Sequence, residues 1–157
     1  MKVILLNHGK VTFVDDEDFE WLNQWKWHAK KYHRTWYAQR GGFINNRQMT
    51  IFMHREILKT PLGKETDHKD GDGLNNQREN LRPATKAQNR QNQRPQEGCT
   101  SGFKGVHWDR GSNKWRTHIK IKGKQIHLGV FLSEIDAAKA YDRAAYRYFG
   151  EFARTNF

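Results

Sequence analysis

The alternation of side chains between Lys114 and Val130 is the feature that most narrows what this chain can fold into. From Lys114 to Lys122, apolar or neutral residues alternate with Arg, His and Lys, and the alternation resumes after a turn at Gly123. Because successive side chains of a strand point to opposite faces, this pattern predicts a β-hairpin with one apolar and one basic face. The apolar face requires an element that covers it.

A helix suited to that role follows the hairpin. Ser133 and Asp136 form a capping-box pattern, so a helix is predicted to begin there and to run to about Phe149, before Gly150. Its core-facing side chains recur three and four residues apart, at Ala138, Tyr141, Ala145 and Tyr148. The alanines allow the helix to lie close to the sheet, so residues 102–157 are predicted to form one small unit.

The N-terminal part of the chain is predicted to be β-rich and irregular. Two short strands are expected in residues 2–14 around an Asn7-His8-Gly9 turn, followed by a short acidic helix that ends near Asn23. Further short strands are expected at residues 25–29, 36–40 and 48–50, and a helical turn or two at residues 52–58.

The predicted elements divide the chain into two domains. Thr85 and Gln88 form a second capping-box pattern, which predicts a helix running toward Arg94, and Pro95 stops it. The residues that follow are polar and contain a glycine, as is typical of a linker. We therefore predict an α+β protein with a first domain at residues 1–94, a linker at 95–101 and a second domain at 102–157.

The net charge of +11 indicates a polyanionic partner. The excess is concentrated in residues 77–124, which carry twelve Lys and Arg against three Asp and Glu. No apolar run approaches the roughly 20 residues that cross a bilayer, and the N-terminus lacks a secretory-signal pattern, so a cytosolic protein without membrane partners is expected. Cys99 is the single cysteine, which excludes a cysteine-based zinc site and leaves oxygen and nitrogen ligands for any metal.

One segment, from residue 54 to residue 92, carries a recognisable constellation of polar residues. It contains Asp67-His68, a glycine-rich loop, Asn80 within Glu-Asn-Leu-Arg, and Asn89. The segment resembles the HNH family, in the branch of phage intron-encoded homing endonucleases. That resemblance implies a ββα-metal fold holding one divalent cation over the scissile phosphate. It further implies Asp67 and Asn89 as metal ligands, His68 as general base and Asn80 as the asparagine that orients the loop.

The chemistry of these residue types agrees with the implied roles. Asp67 and Asn89 offer oxygen atoms, which suit a hard cation such as Mg²⁺, or Mn²⁺ in its place. The ordinary pKa of histidine lies near 6.5, so a neutral His68 can accept a proton at neutral pH. Adjacent strand residues point to opposite faces, so Asp67 and His68 can serve one site only if the strand ends or bends there.

Several neighbouring residues have competing interpretations. His54, in His-Arg-Glu-Ile, also matches the family, but we favour a structural role, and Arg55 is equally consistent with a solvated helix residue. Asn75, Asn76 and Asn92 are interpreted as turn or helix-surface residues. Asn92 stays an alternative metal ligand if the helix register differs by one turn.

Residues 102–157 carry a second resemblance. They contain Lys104-Gly105-Val106, Leu-Gly-Val-Phe at 128–131, Ala-Ala-Lys-Ala-Tyr-Asp-Arg-Ala-Ala at 137–145, and a terminal Asn156-Phe157. These residues resemble the AP2 DNA-binding domain of plant transcription factors. That family lays a three-stranded antiparallel sheet in the major groove with a helix behind it. The resemblance implies DNA-contacting positions at Lys104, His107, His118, Lys120, Gln125 and His127, with Arg116 on the same face.

The second resemblance does not carry over the plant target sequence. Plant members place arginine and tryptophan at many of the contacting positions, and arginine reads guanine by a bidentate pair of hydrogen bonds that histidine and glutamine do not reproduce. Arginines that flank the first constellation are predicted to contact phosphates instead of bases, at Arg78, Arg82, Arg90 and Arg94.

The function predicted from the sequence is a metal-dependent, site-selective DNA endonuclease of the homing type, acting on double-stranded DNA as a monomer. A phage or mobile element in a bacterial host is the expected source. The alternative is a sequence-specific DNA-binding regulator with an inactive nuclease site. An RNA-binding role ranks third, because a basic sheet with few exposed aromatic residues suits a duplex groove better than splayed bases.

Overall fold

The computed structural model of the chain describes residues 1–95, 98 and 100–157. Two compact units divide the chain between Asn89 and Arg90. Parts of the predicted linker, including Cys99, lie outside the described residues. No helix in the part of the chain that is described is long and apolar enough to span a membrane.

The first unit is built from short antiparallel pairings. A hairpin of β1 and β2 precedes helix α1, the three strands β3 to β5 form a sheet in sequence order, and β6 pairs with β7 after helix α2. The bounds are β1 Lys2–Leu5, β2 Val11–Val14, α1 Asp16–Leu22, β3 His28–Tyr32, β4 Thr35–Ile44, β5 Arg47–Phe52, α2 Met53–Leu58, β6 Glu65–His68 and β7 Leu81–Ala84. Helix α3, Lys86–Asn92, contains the point of division, and a 3₁₀ turn at Arg78–Asn80 precedes β7.

The strands of the β3 to β5 sheet differ from those predicted. The first was expected at residues 25–29, but Trp27 is buried and its indole N–H donates to the carbonyl oxygen of Leu22 (2.8 Å), so the strand begins only at His28. The other two are longer than expected, because Asn45 and Asn46 adopt positive φ and close a tight turn that pairs the strands to their ends.

The core of the first unit joins the N-terminal hairpin to the elements near β6. Its buried apolar side chains are Ile4, Val14, Leu22, Trp27, Ala38, Met53, Ile57, Leu74 and Leu81. The backbone of Phe13 in β2 also forms a parallel bridge with Asn75. The hairpin therefore supports the segment that follows β6, although the two lie some sixty residues apart in sequence.

The second unit contains the hairpin and the helix predicted from alternation and capping, and both are confirmed, but the prediction that Tyr148 faces the core is wrong, because its side chain is 49% exposed. Strands β8 (Val106–Asp109), β9 (Lys114–Ile121) and β10 (Lys124–Phe131) form an antiparallel sheet in the order β10-β9-β8. Helix α4 (Glu134–Phe149) begins after Ser133, whose hydroxyl accepts from the N–H of Asp136 (3.3 Å).

Helix α4 covers the apolar face of the sheet. Ile119 packs with Tyr141, Ala144 and Ala145, and Val106 packs with the alanines of the first helical turns. Gly105 has a φ of +77°, and a Cβ atom there would lie 2.1 Å from the ring of Tyr141. Glycine at this position therefore allows the close approach of sheet and helix.

Side-chain hydrogen bonds join Lys104, which precedes β8, to Asn156, which follows α4. The Oδ1 of Asn156 accepts from the backbone N–H of Lys104 (2.7 Å), and its Nδ2 donates to the Lys104 carbonyl (3.3 Å). Asp142 in α4 accepts from both the backbone and the side chain of Asn156 (2.9 Å each). Asn156 thus links the residue that precedes β8 to helix α4.

Candidate active site

His68 is the last residue of β6, and the chain turns directly after it. The backbone N–H of Lys69 donates to the carbonyl of Asn80 (2.9 Å), and the N–H of Gly71 donates to the carbonyl of His68 (2.9 Å). Gly71 has a φ of +75°, which suits a tight reversal. The strand therefore ends at the Asp67-His68 pair, as required for both side chains to serve one site.

The imidazole of His68 lies in a buried aromatic cluster. Its side chain is 5 % exposed, and its ring lies 5.0 Å from that of His54 and 5.8 Å from that of Tyr37, measured between centroids. The Nε2 atom is 3.2 Å from Oδ1 of Asn76. Burial lowers the pKa of His68 below its ordinary value, against the opposing effects of the Asn76 hydrogen bond and nearby carboxylates. A neutral ring, able to accept a proton, follows at pH 7.

The carboxylate of Asp67 forms a buried ion pair across the β6–β7 hairpin. Oδ2 of Asp67 accepts from Nε (2.8 Å) and Nη2 (2.7 Å) of Arg82, the residue opposite it in the register. Both side chains are buried. Arg82 was predicted as a phosphate contact, and that role stays a prediction, but the structure places its guanidinium on Asp67.

Asn80 ties together the loop between β6 and β7. Its Nδ2 donates to Oδ1 of Asp70 (3.0 Å) and to the carbonyl of Asn75 (2.8 Å), while its Oδ1 accepts from the backbone N–H of Asp70 (3.1 Å). Asn75 in turn donates to the other Asp70 oxygen (2.8 Å). The loop that follows the histidine is therefore held in one conformation by a single buried amide and its carboxylate partner.

Asn89 lies in α3 and contacts the start of β6. Its Nδ2 donates to Oε2 of Glu65 (2.6 Å), and the helix is fixed by the predicted capping box, in which Thr85 and Gln88 exchange hydrogen bonds (2.8 and 3.2 Å). Sequence reasoning missed Glu65. The signal available was its spacing of two from Asp67, which places both carboxylates on one side of a strand.

The donor atoms of this region fit a hard divalent cation. The bond from Asn89 to Glu65 uses the amide nitrogen, so the amide oxygen of Asn89 is the atom that could bind a cation, and Asp67 could supply a carboxylate. No cluster of three or more His, Cys, Asp or Glu suited to a metal occurs among the described residues. A site with one carboxylate and one amide leaves positions for water and phosphate, which is how Mg²⁺ is commonly held.

The alternative ligand, Asn92, ends helix α3. It is 6 % exposed, so its interpretation as a surface residue is wrong, and it belongs to the second compact unit. Its possible service as a ligand stays a prediction. Asn76, interpreted as a turn residue, is also fully buried, at 0 % exposure.

A cleft of about 220 Å³ opens beside Asn89 and Glu65. Its remaining lining is largely aromatic and polar: Tyr32, Tyr37, Phe52, His54, Arg55 and Thr66. Burial, followed by the nearby His68 and Arg55, lowers the pKa of His54 to about 3. Its Nδ1 has no hydrogen-bond partner among the described residues. His54 is therefore neutral and packs between Phe52 and His68.

The other predicted phosphate-contacting arginines differ in their surroundings. Arg78 binds both oxygens of the buried Asp18 (2.7 Å each) and approaches Glu17 (2.7 Å), which fastens the 3₁₀ turn to α1. Arg90 and Arg94 are exposed. Arg78 is thus tied to α1 by ion pairs although its side chain is itself exposed, and all three arginines are accessible to a polyanion.

Six of the seven side chains predicted to contact DNA share the outward face of the second unit's sheet. The register pairs His107 with Arg116, His118 with His127, and Lys120 with Gln125. The rings of His107 and His118 lie 5.0 Å apart. The inward residues between them, such as Thr117 and Ile119, are buried.

Lys104 is placed differently from the other six. Its ammonium group donates to the carbonyl of Gln91 and to that of Gln93 (2.7 Å), near the end of α3. Burial, followed by the charge of Arg154, lowers the pKa of Lys104 to about 8. A DNA contact by Lys104 stays a prediction, but the structure shows it as a donor to the helix end.

Comparisons with known proteins address the first part of the chain most directly. A family model described as HNH endonuclease matches residues 59–91. An uncharacterized HNH endonuclease of Acanthamoeba polyphaga mimivirus is 31% identical over 159 residues, an alignment that covers 97% of this chain and 79% of the viral protein. Protein 3.8 of Escherichia phage T7 is 38% identical over 65 residues, or 41% of this chain and 54% of the phage protein.

Plant proteins match a shorter stretch. APETALA2-like protein 2 of Oryza sativa is 43% identical over 58 residues, which is 37% of this chain. The chain spans only 13% of that plant protein's length. The plant match therefore concerns one segment, whereas the mimivirus match extends over nearly the whole chain.

Proposed function

The chain belongs to the HNH endonuclease family, and we propose that it is a metal-dependent, site-selective DNA endonuclease of the homing type. The observation that carries the proposal is the strand end at Asp67-His68, where a buried and neutral histidine adjoins a carboxylate in the segment that the family model matches. The buried position and lowered pKa of the histidine suit a general base.

In this proposal the residues of the first unit divide the work of phosphodiester hydrolysis. His68 accepts a proton from the water that attacks phosphorus, and Asn80 keeps the loop after His68 in place. Asp67 and Asn89 hold one divalent cation, Mg²⁺ or Mn²⁺, in a ββα-metal arrangement of β6, β7 and α3. When bound, the cation supplies charge stabilisation at the phosphate.

We assign the second unit the role of an AP2-type DNA-binding domain. Its outward sheet face, which carries Arg116, His118 and Lys120, would lie in the major groove, while exposed arginines such as Arg90 contact phosphates. The supporting observations are the sheet covered by one helix and the 58-residue match to a segment of APETALA2-like protein 2. Double-stranded DNA is the proposed substrate, and the protein is proposed to act as a monomer encoded by a phage or mobile element, in a bacterial cytoplasm.

A second candidate function rests on the ion pair of Asp67 with Arg82. A carboxylate held by a buried arginine is engaged before any cation arrives, as expected of a nuclease site that has lost activity. The protein would then be a sequence-specific DNA-binding regulator. This alternative and the endonuclease predict the same DNA binding but different chemistry.

The deciding experiment exposes randomised duplexes to the protein with Mg²⁺, with Mn²⁺ or with a chelator, and sequences the products. Cleavage that requires the metal and occurs at a restricted set of sequences supports the endonuclease. Selective binding without cleavage under any metal condition supports the regulator. Cleavage that persists in the chelator would contradict the metal role of Asp67 and Asn89.

A further inference from the structure

A chain of buried hydrogen bonds leads from the proposed general base into the N-terminal hairpin. Nε2 of His68 lies 3.2 Å from Oδ1 of Asn76, Nδ2 of Asn76 lies 2.8 Å from the hydroxyl of Thr12, and that hydroxyl lies 2.7 Å from the carbonyl oxygen of Leu74. Asn76 and Thr12 are both 0 % exposed. Solvent therefore does not reach these side chains to replace one of their hydrogen-bond partners.

The carbonyl group of Leu74, at the far end of this series of hydrogen bonds, determines the direction of every hydrogen bond in the series. The carbonyl of Leu74 has no hydrogen, so the hydroxyl of Thr12 must donate to it. The Thr12 oxygen then accepts, and its donor is the NH₂ group of Asn76. The amide of Asn76 consequently turns its oxygen toward His68, and this oxygen accepts only from a protonated Nε2.

We propose that Asn76 and Thr12 are positioning residues that hold His68 in the tautomer with hydrogen on Nε2, so that Nδ1 carries the lone pair that receives the proton from water. The role of Nδ1 rests on the proposed endonuclease function. The inferred tautomer rests on the hydrogen bonds from Leu74 through Thr12 and Asn76 to His68 and does not depend on the endonuclease function.

The reverse arrangement is disfavoured at the contact between Asn76 and Thr12. Turning the Asn76 amide over would set its oxygen against the Thr12 oxygen, whose hydrogen is already used on Leu74. It would also direct the NH₂ group at Nε2 and move the ring hydrogen to Nδ1. Buried polar atoms that face each other without a hydrogen are costly to accommodate.

The backbone fixes Asn76 in the position that this role requires. The N–H of Asn76 donates to the carbonyl of Phe13 (2.8 Å), and the N–H of Phe13 donates to the carbonyl of Leu74 (2.9 Å). Strand β2 thus holds the Asn76 backbone from one side and supplies Thr12 to its side chain. The N-terminal hairpin acts on the proposed base through these contacts.

The test begins with the tautomer in the wild-type protein. With ¹⁵N-labelled histidine, long-range proton–nitrogen correlation at about pH 8, above the ordinary histidine pKa, distinguishes the two tautomers, and a spectrum of H68Q identifies the His68 signals. We expect the Nε2–H tautomer. Observation of Nδ1–H would overturn the proposal without bearing on whether the protein cleaves DNA.

Variants of Thr12 then test the chain. T12V removes the hydroxyl and is expected to give a mixture of His68 tautomers, whereas T12S keeps the hydroxyl and the single tautomer. In cleavage assays T12V should lower kcat by about 10- to 100-fold, the range found for residues that orient active-site ligands, with KM unchanged. T12S should restore kcat to near the wild-type value.

Thr117 provides a matched control, because it is also fully buried and its hydroxyl donates to a backbone carbonyl, that of Gly105 (3.0 Å). T117V tests the general cost of losing such a bond in the second unit, and it should leave the His68 tautomer unchanged. A T12V protein that keeps both the single tautomer and the wild-type kcat contradicts the proposal. An inactive wild-type protein with the Nε2–H tautomer would contradict the endonuclease function but leave the positioning role intact.

Discussion

Two histidines of the first unit and the three histidines of the second lie in contrasting surroundings. In the first unit, His54 and His68 are buried among aromatic rings, and the second of them is linked by hydrogen bonds to the interior. In the second unit, His107, His118 and His127 stand on the outward face of a sheet whose other face packs on a helix. A buried ring is suited to one fixed proton transfer, whereas rings on a sheet face are suited to contact with another molecule.

Because of this contrast, substitutions in the two units are expected to change different measured properties. Removing a group that acts in the transition state lowers the rate without changing binding. Removing a group on a contact surface changes which partner is bound. The first unit is therefore expected to respond in kcat, and the second in the choice of duplex.

The largest effect is expected for H68A. Loss of a general base typically lowers a rate by about 10² to 10⁴-fold. The affinity for the duplex should stay within about twofold of the wild-type value, because a group that acts only in the transition state contributes little to binding. Single-turnover cleavage and equilibrium binding on the same duplex measure the two quantities. Cleavage at the wild-type rate would remove His68 from the mechanism and the contrast with it.

The next effect concerns the metal. N89A should raise the Mg²⁺ concentration needed for half-maximal cleavage by about 10- to 100-fold, because an oxygen ligand is lost. N92A serves as the control, since Asn92 is in the same helix, and should leave the requirement unchanged. If only N92A alters the metal requirement, the helix register inferred from the sequence is off by one turn.

Specificity should change when the sheet face is altered. H118A and K120A are each expected to lose about 1 to 3 kcal/mol on some duplexes and little on others, as for a lost base contact. R90A should instead lower the affinity for all duplexes alike. It should also reduce the number of counterions released on binding by about one, which is measured as a shallower dependence of affinity on salt. Binding to a panel of duplexes at several salt concentrations separates the two outcomes. Uniform weakening by both sheet variants would make the second unit a general electrostatic anchor.

A further effect, on folding and not on DNA binding or cleavage, is expected for stability in acid. The pKa of His54 is about 3 in the folded protein and near 6.5 when unfolded, so the unfolded chain binds an extra proton between these values. Stability is therefore full above pH 6.5 and falls as the pH drops toward 3, by at most about 1.4 kcal/mol per pH unit for this group. Thermal unfolding of wild type and H54F across this window measures it.

The contrast between the two units predicts that a histidine of the second unit contributes a smaller loss of folding stability at low pH. The pKa of His118 is lowered by burial and then by His107 and His127, but the ring is less enclosed than that of His54. H118F should therefore flatten the pH dependence of stability less than H54F does. An equal flattening by the two variants would show that the histidines of both units are similarly desolvated.

The sequence predicted the second unit more closely than the first because alternation and capping are local properties. The hairpin of β9 and β10 and the start and end of α4 follow from side chains within a few residues of one another. In the first unit, the extents of β4 and β5 depend on a turn at Asn45-Asn46 and on tertiary pairing, which periodicity does not report.

For the candidate site, the residues themselves could be predicted from the sequence, but their hydrogen-bond partners could not. Asp67, His68 and Asn80 belong to one short segment with a recognisable spacing. The partners that fix their geometry are distant: Asn76 and Thr12 are 64 residues apart, and the pairing of Asp67 with Arg82 requires the strand register. A sequence pattern identifies which residue types are present, but hydrogen-bond partners across the core are set by the packed fold.

The fastening of Asn156 to Lys104 has a consequence for engineering. Because Lys104 and Asn156 are hydrogen-bonded to each other, the segment between them begins and ends at neighbouring points of the second unit. Domains with adjacent ends tolerate insertion into loops of other proteins, since the host loop need not be stretched. We therefore expect the segment between Lys104 and Asn156 to tolerate transfer into a surface loop of a host protein as well as fusion at a terminus.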